Sequence, residues 1–276
     1  MLANKNNQRI ILITGATKGI GLATALQFAS AGDQCILTYG WGSVDEDEII
    51  NQFKEKGFQL PYLKQANVVD PADTETLLED IAEKFSPIDV FISNVSFANV
   101  VKGLEDYSEK GLLKSIEYST WPMIEYPRQI NKKMGRFPRY IIGLSSHGPD
   151  GFHCNYDFAA VTKALSETLI KYLNYHFFNE EVIFNVVRTR PIVTDSLLST
   201  FGKDWKEFIS KVDKFGTEVS LEEVANVIFM LCSGLMDGVS GQTINADKGY
   251  SFSDGLQRMY VDREQLKLWE FNTKNF

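Results

Sequence analysis

Seven short segments rich in apolar and β-branched residues recur along this 276-residue chain, and their alternation with helix-period segments constrains its fold more than any other feature. The predicted strands span residues 9–14, 35–39, 63–67, 89–94, 139–146, 182–187 and 242–247. Several are apolar almost throughout, as expected for strands that are covered on both faces. The alternation therefore predicts an α/β fold, with a doubly wound parallel sheet and helices on both of its faces.

The segments between the strands show the periodicity of helices with one apolar face. One such face carries Leu22, Ala25, Leu26 and Ala29, and a later one carries Leu165, Leu169, Tyr172 and Leu173. No repeat or linker rich in Pro and Gly divides the chain, so residues 1–250 are predicted to form a single domain. Residues 251–276 are expected to form a tail that packs on this domain or on a neighbouring subunit.

The composition argues against several classes of function. A formal net charge of -8 disfavours a general affinity for nucleic acid, because neutralising phosphates needs a basic face. The sequence has no apolar run near the roughly 18 residues of a membrane span and no secretory signal, so we expect a cytoplasmic protein. Cys35, Cys154 and Cys232 are expected to be reduced thiols. His147, His153 and Cys154 lack the spacing of a structural zinc site, so no metal is expected.

The loop after the first predicted strand, "TGATKGIG" at residues 14–21, is typical of a dinucleotide site. Its glycines allow a sharp turn and a close approach of the backbone to a pyrophosphate, which would face the free amides at the start of the next helix. The position between the first strand and the first helix makes the signal much more specific than a glycine cluster alone. It predicts a Rossmann-like fold whose cofactor site contains Gly15, Thr17, Lys18, Gly19, Ile20 and Gly21.

The end of the second strand indicates which nicotinamide cofactor binds. An acid at this point commonly holds the ribose hydroxyls of NAD, but the strand ends at Tyr39 without one. The acids at 45–48 are explained as the first turn of a helix, with Ser43 and Glu46 at the spacing of a capping box. Lys18 is placed to meet a 2′-phosphate. The sequence therefore favours NADPH over NADH.

A tyrosine and a lysine follow the fifth predicted strand, Tyr156 and Lys163 in "CNYDFAAVTKAL", with six residues between them. With the glycine loop and this pair, the chain resembles the short-chain dehydrogenase/reductase family over nearly its whole length. The motifs that carry the resemblance follow the family's order: "TGATKGIG", "ISNVS" at 92–96, "IIGLSS" at 141–146, "NVVRTRPIVTD" at 185–195 and "SGQTINADKG" at 240–249.

The resemblance implies further site residues. In that family, Asn94 lies beside the cofactor, and Thr194 with the backbone of Ile192 holds the nicotinamide amide. Asn67 and Val68 border the adenine. The resemblance also implies a homodimer or homotetramer, with the helices around residues 108–134 and 157–178 at the dimer face.

The chain departs from the usual family pattern at several positions. The usual tyrosine position, four before the lysine, holds Ala159, and Ser115 is the expected occupant of the position of the family's helix asparagine. Ser93 and Val95 alter the end of the fourth strand. The Tyr-x6-Lys spacing is similar to that of the enoyl-[acyl carrier protein] reductase branch, and the glycine loop resembles its NADPH-using bacterial members.

The longer spacing has a chemical reason. Positions seven apart on a helix share a face, as positions four apart do, but three extra residues displace the tyrosine by about 4.5 Å along the axis. When a hydride adds to the β-carbon of an enoyl thioester, negative charge develops on an oxygen two carbons away, and a displaced phenol suits that oxygen. Tyr156 would stabilise the enolate, Lys163 would bond the nicotinamide ribose and favour the charged phenol, and Ser146 would offer a hydroxyl to the same oxygen.

The residues leave alternatives open. One is a carbonyl reductase acting on a 3-oxoacyl thioester, and another is a non-catalytic dinucleotide-binding protein. Arg190 replaces a glycine expected near the nicotinamide, where it would either clash with the cofactor or reach an anionic substrate group. A hydrolase based on Ser146, Asp150 and His153 is disfavoured because G-x-S-x-G is absent.

A cluster of basic residues is a candidate surface for a protein that carries the substrate. Its members are Arg128, Lys132, Lys133, Arg136 and Arg139. It would steer an acyl carrier protein with an acidic recognition helix, or it is a solvated helix end with cations near its C-terminus.

Overall fold

The computed structural model describes residues 8–264 except 41, 43, 86, 195, 196, 199, 201, 206, 208 and 210–217. Its seven strands are β1 Ile10–Ile13, β2 Gln34–Tyr39, β3 Tyr62–Gln65, β4 Val90–Ser93, β5 Tyr140–Ser146, β6 Ile183–Thr189 and β7 Thr243–Ala246. They form one parallel sheet in the order β3-β2-β1-β4-β5-β6-β7. All seven predicted strands are confirmed, and β6 runs two residues beyond its predicted end at residue 187.

Helices lie between the parallel strands in the chain, and one more follows β7. They are α1 Gly19–Ser30, α2 Glu46–Glu55, α3 Pro71–Lys84, α4 Glu109–Ser119, α5 Pro122–Met134, α6 Asp157–His176, α7 Leu221–Leu231 and α8 Gly255–Asp262. Short 3-10 turns span Leu104–Asp106 and Tyr250–Phe252. The helix expected around residues 108–134 is divided into α4 and α5 at Thr120 and Trp121, because Pro122 begins a new helix more readily than it continues one.

Two apolar layers, one on each side of the sheet, make up the core. Helices α1, α2 and α7 bury side chains such as Phe28, Phe53 and Ile228 against one face. The opposite face packs against α3, α5 and α6, where the ring of Tyr126 stacks on that of Phe91 with a centroid distance of 5.2 Å. The predicted doubly wound architecture, with helices on both faces, is therefore confirmed.

The buried face of α6 agrees only in part with the predicted one. Leu169 and Leu173 of the predicted stripe are partly buried and pack against the core, whereas Tyr172 is 67% exposed. The buried positions are Phe158, Ala159, Thr162, Lys163, Ser166, Glu167 and Ile170. Apolar periodicity misplaced Tyr172 because the buried face of α6 includes a lysine and a glutamate, which that method does not expect.

The structure also describes the three cysteines and the candidate metal ligands. Cys35 and Cys232 are buried, Cys154 is exposed, and all three are free. In the part of the chain that the structure describes, no three His, Cys, Asp or Glu side chains gather as metal ligands would. Within the same residues, none of the helices has both the length and the apolar character needed to cross a membrane.

Candidate active site

A cleft of about 650 Å³ opens at the carboxyl ends of β1, β4, β5 and β6, where the chain order of the sheet reverses. This is the usual place for a ligand in an open α/β sheet. The predicted site residues in its wall are Gly15, Thr17, Lys18, Gly19, Ile20, Tyr39, Asn67, Val68, Asn94, Ser146, Tyr156, Lys163, Ile192 and Thr194. Gly21 is the remaining predicted residue, and it lies behind the wall.

The glycine loop holds conformations that other residues rarely adopt. Gly15 has φ +63° and Gly19 has φ +58°. Gly21 has another role, because a Cβ there would lie 2.7 Å from Asn94 Nδ2 and 2.8 Å from the Ala16 Cα. It allows α1 to pack against the end of β4.

Asn94 fixes this loop from the next strand. Its side-chain amide donates to the carbonyls of Thr14, at 2.9 Å, and Gly15, at 2.8 Å. Its backbone N–H donates to the Thr14 hydroxyl at 3.1 Å. The family resemblance placed Asn94 beside the cofactor, and in the structure it both lines the cleft and supports the loop.

The N-terminus of α1 is suited to an anion. Lys18 at the N-cap makes no capping side-chain hydrogen bond, and the first turn contains no acid. By contrast, Asp45, Asp70 and Ser108 cap α2, α3 and α4 with their side chains. The first amides of α1 are therefore free of any capping side chain, and the residues present fit the pyrophosphate of a dinucleotide.

The start of α2 differs from the predicted capping box. Asp45 caps the helix by accepting from the Glu48 N–H at 2.9 Å, and Ser43 lies outside the described residues. Glu46 instead accepts a hydrogen bond from the phenol of Tyr39, which raises the pKa of that phenol. The predicted capping box is wrong because the N-cap of α2 is Asp45, two residues after the position that the S-x-x-E spacing required.

The predicted catalytic groups meet at the end of β5. Tyr156, the residue before α6, donates from its hydroxyl to Ser146 Oγ at 3.1 Å. Ser146 is the last residue of β5 and also accepts from the Gly148 N–H at 3.3 Å. Lys163, two helical turns after Tyr156, donates from Nζ to the Leu144 carbonyl at 3.0 Å. A glycine is required at 148, since a Cβ there would lie 2.9 Å from the Tyr156 ring.

Burial determines the protonation of this pair. It raises the pKa of the Tyr156 phenol, and the hydrogen bond with Ser146 offsets only part of that rise. Burial also lowers the pKa of Lys163 to about 8, against an opposing effect of Glu167. Near neutral pH, Tyr156 is therefore a neutral hydrogen-bond donor and Lys163 a cation. Burial has the largest effect on the pKa of this phenol, and the expectation that Lys163 favours its charged form stays a prediction.

The positions that depart from the family pattern lie in different places. Ala159 and Ser115 are buried outside the cleft wall, and Ser115 Oγ donates to the Gly111 carbonyl at 2.7 Å. Ser93 is buried in β4, whereas Val95 lines the cleft. Ser115 therefore supports its own helix in this structure.

Arg190 lines the cleft and packs against the C-terminal segment. Its guanidinium carbon lies 3.9 Å from the centroid of the Tyr250 ring, within cation–π range. Asp247 accepts from the N–H groups of Gly249, at 2.9 Å, and Ser251, at 2.8 Å, which holds Tyr250 in its turn. The turn at Tyr250, just before the predicted tail, therefore contacts Arg190 in the cleft wall.

The apolar part of the wall escaped prediction. Its side chains are Phe97, Tyr118, Leu144, Leu197 and Leu221. His153 joins them, and its ring centroid lies 5.7 Å from that of Tyr156. Phe97 could have been found because it follows β4 at the carboxyl edge, but Tyr118 and Leu221 arrive from helices with no sequence signal of their own.

The basic cluster lies away from the cleft. It surrounds the end of α5 and the start of β5, at the amino edge of the sheet. The pairs within it are Arg128–Glu125, Lys133–Glu79, Arg136–Asp89 and Arg139–Asp237. Because four of its five cations pair with carboxylates of the same chain, the structure favours the interpretation as a solvated helix end.

Comparisons with known proteins add to this geometry. A family model described as enoyl-(acyl carrier protein) reductase matches residues 15–251. The chain is 24% identical to the NADH enoyl-[acyl-carrier-protein] reductase of Aquifex aeolicus over 87% of this chain and 90% of the relative. It is 26% identical to the 1-cyclohexenylcarbonyl-CoA reductase of Streptomyces collinus, over 89% and 88% of the two chains.

A carbonyl reductase and a solved structure are similar as well. The 3-oxoacyl-[acyl-carrier-protein] reductase of Staphylococcus aureus is 25% identical over 86% of this chain and 96% of the relative. The crystal structure of the Bacillus cereus enoyl-acyl carrier protein reductase with NADP+ and indole naphthyridinone has a TM-score of 0.77 at 24% identity, covering 89% of this chain and 97% of that one. This likeness confirms the predicted fold.

Proposed function

The chain belongs to the enoyl-(acyl carrier protein) reductase family of NAD(P)H-dependent oxidoreductases, and from that premise we propose that it reduces the carbon–carbon double bond of an enoyl thioester with NADPH. One observation carries the proposal. Tyr156, the residue before α6, stands two turns before Lys163 and hydrogen-bonds Ser146 at 3.1 Å, inside the cleft that also contains the glycine loop. The phenol is thus displaced from the lysine in the direction of the helix axis, an arrangement that suits conjugate reduction.

The chain's own residues act on the thioester oxygen. When bound, the nicotinamide cofactor supplies the hydride that adds to the β-carbon. The Tyr156 hydroxyl, kept neutral by burial, donates a hydrogen bond to the oxygen on which negative charge develops. Ser146 orients that hydroxyl and provides a second one beside it. The α-carbon then takes a proton from Tyr156 or from water, which completes the reduction.

Lys163 would hold the ribose of the cofactor. Its Nζ already donates to the Leu144 carbonyl and retains two further protons for ligand oxygens. Because its pKa is lowered to about 8, it is a cation near neutral pH and loses its charge as the pH rises through that value. We therefore expect cofactor binding to weaken in alkaline solution.

The charges of the wall support NADPH. Among the described residues, the cleft is lined by the cations Lys18, Lys163 and Arg190 and by no carboxylate. NADPH carries one more phosphate group than NADH, so it gains more from this field. On the Tyr39 side, the Glu46 carboxylate is outside the cleft wall and accepts a hydrogen bond from the Tyr39 phenol.

The substrate would be an acyl chain on acyl carrier protein or coenzyme A, from fatty acid or specialised acyl biosynthesis in the cytoplasm. The apolar wall formed by Phe97, Tyr118 and Leu197 suits the acyl chain. We also propose a homodimer or homotetramer through α4, α5 and α6. Large apolar side chains that are exposed on these helices, among them Leu113 and Tyr172, support this assembly. Residues 251–276 would pack as a tail on this domain or on a neighbouring subunit, although residues 265–276 lie outside the described ones.

A second candidate is reduction of a 3-oxoacyl thioester. The contact between Tyr156 and Ser146 favours it, since a neutral phenol beside a serine can also protonate a carbonyl oxygen. The two reactions differ in which carbon of the substrate takes the hydride. Activity measured on an enoyl thioester and on a 3-oxoacyl thioester therefore distinguishes the two reactions.

NADPH absorbance with purified protein tests the proposal. We expect consumption with crotonyl thioester and little with acetoacetyl thioester, each presented on coenzyme A and on acyl carrier protein. Consumption with only the acetoacetyl compound would exclude the enoyl reaction. Cofactor binding by calorimetry without consumption of any acyl thioester would instead indicate a binding protein.

A further inference from the structure

A connected set of charged and polar groups, three of them buried and one exposed, lies beside the catalytic pair. This Arg188 cluster consists of Ser145, Asp150, Glu167 and Arg188. Arg188 Nε donates to Glu167 Oε1 at 2.9 Å, and its Nη2 donates to the other oxygen of the same carboxylate, which makes the pair bidentate. Arg188 Nη1 pairs with Asp150, and the Ser145 hydroxyl donates to Glu167 Oε1 at 2.5 Å. Three charged side chains and a hydroxyl thus form one connected network.

The cluster joins four parts of the fold that surround the site. Ser145 of β5 and Arg188 of β6 are direct partners in the sheet, so their side chains lie next to each other on one face. Glu167 lies on α6, one turn after Lys163. Asp150 is in the loop that follows Ser146. The cluster therefore links β5, β6, α6 and the loop that follows Ser146.

Helix α6 is attached to β5 through two polar contacts one turn apart. Lys163 Nζ bonds the carbonyl of Leu144, and Glu167 accepts from the hydroxyl of Ser145. These two strand residues immediately precede Ser146. The contacts therefore fix the position of α6 along β5, the strand that carries Ser146. They thereby also fix the position of Tyr156, which directly precedes α6.

Stability alone does not account for such a pair. Glu167 and Arg188 are each only 9% exposed, and removing two charges from water costs more than their attraction readily returns. Well-packed apolar residues commonly stabilise a buried position as well as an ion pair does, whereas a charged network specifies one arrangement. The position of this network points to a role in the geometry of the site.

We infer that Glu167 and Arg188 are positioning residues of the reductase site, which hold Lys163 as a cation at a fixed distance from Ser146 and Tyr156. The inference rests on the proposed function for the roles of those three groups. Glu167 acts through its charge on Lys163 and through Ser145, and Arg188 acts by orienting Glu167 and the loop at Asp150.

The electrostatics agree with this geometry. Burial lowers the pKa of Lys163, and Glu167 is the charge that opposes the shift. Other titratable groups line the cleft with Lys163 or contact the cluster. They are Lys18 at the start of α1, Tyr39 of β2, Tyr118 of α4, His147 and Asp150 after β5, His153 and Tyr156 before α6, and Arg190 after β6. Without Glu167, the pKa of Lys163 would fall further and its charge would be lost nearer neutral pH.

Titration of Lys163 in the Glu167→Gln enzyme tests the inference. NMR of protein labelled with 13C at the lysine Cε, with the signal assigned by its loss in Lys163→Arg, follows the group directly. We expect a midpoint near 8 in the wild type and one lower by about one pH unit in Glu167→Gln. Local unfolding would move the midpoint the other way, toward the ordinary lysine value, so a structural effect is distinguishable. The pH at which the kcat of crotonyl-thioester reduction declines on the alkaline side should fall by the same amount.

A matched pair elsewhere provides the control. Arg9 and Asp33 form a similar bidentate pair at the amino edge, with contacts of 3.0 and 2.6 Å. Asp33→Asn should reduce stability but leave the Lys163 midpoint and the pH profile unchanged. Asp150→Asn keeps the buried pair intact and serves if Glu167→Gln does not fold; we expect kcat to fall about threefold to tenfold with NADPH affinity retained.

The outcomes separate the two hypotheses. A folded Glu167→Gln protein with an unchanged Lys163 midpoint and unchanged kcat would overturn the inference, as would Asp150→Asn with wild-type kcat if Glu167→Gln does not fold. A wild type that reduces no acyl thioester would remove the proposed function, yet the Lys163 titration would still decide whether Glu167 controls the lysine.

Discussion

The two halves of the cleft are built from different interactions. On the cofactor side, the loop at residues 14–21 is shaped by backbone conformations and by neutral hydrogen bonds from Asn94. On the catalytic side, the end of β5 is surrounded by buried charges, among them Lys163, Glu167 and Arg188. The comparison teaches that a contiguous motif can form a phosphate cradle, whereas a tuned acid–base site needs charges from distant parts of the chain.

The largest effect that would sharpen this contrast is expected on the catalytic side. Tyr156→Phe removes the hydroxyl that faces the developing charge and should lower kcat by roughly 10²–10³-fold. NADPH affinity should stay near the wild-type value, because the ring remains. Steady-state kinetics with crotonyl thioester and calorimetry with NADPH measure the two quantities.

Tyr107→Phe is the matched control for this substitution. Its hydroxyl donates to Asp157, the first residue of α6, at 2.6 Å, so the change removes a tyrosine hydrogen bond beside the same helix end. We expect kcat within about twofold of the wild type. Wild-type turnover in Tyr156→Phe would exclude that residue from the mechanism.

A smaller effect is expected on the cofactor side from Gly21→Ala. The new Cβ would lie within 2.9 Å of Asn94 Nδ2, the Ala16 Cα and the Gly15 carbonyl oxygen, two of them backbone atoms. The loop must shift, so we expect a loss of about 1–3 kcal/mol of unfolding free energy and a weaker affinity for NADPH. Denaturant unfolding and calorimetry check both.

Gly103→Ala is the control for the glycine. A Cβ there would have nothing within 4 Å, and the backbone is extended. Stability and cofactor affinity should therefore be unchanged. If Gly21→Ala matched this control, the close packing of α1 on β4 would not matter to the site.

The smallest expected effect concerns cofactor choice. Lys18→Ala should weaken NADPH binding by about tenfold and leave NADH binding nearly unchanged, because only NADPH has a 2′-phosphate for the ammonium to meet. Lys18→Arg should retain the preference. Equal losses for both cofactors would show that Lys18 acts on the shared pyrophosphate.

Much of the cofactor side could be predicted from local sequence. A β-strand, a glycine loop and a helix follow one another without interruption, and Gly15, Lys18 and Gly19 line the cleft as expected. Asn94 and Thr194 were placed by the family resemblance, and both also lie in the wall. Their roles toward a bound cofactor remain predictions.

The catalytic side was less accessible to the same reasoning. Apolar periodicity placed Tyr172 on the buried face of α6, because that method does not expect a helix to bury Lys163 and Glu167. Arg188 lay just beyond the predicted end of β6, where nothing in the local sequence indicates that it pairs with Glu167. The segment around residues 210–217 lies outside the described residues.

By itself, the sequence determined the order of strands and helices, the glycine loop and the spacing of Tyr156 from Lys163, since these depend on neighbours within a few residues. Only the tertiary structure decided that Tyr156 is neutral, that Lys163 has a pKa of about 8 and that Arg188 connects β5, α6 and the loop between them. The physical reason is that desolvation and charge pairing depend on burial and on contacts between residues far apart in the chain.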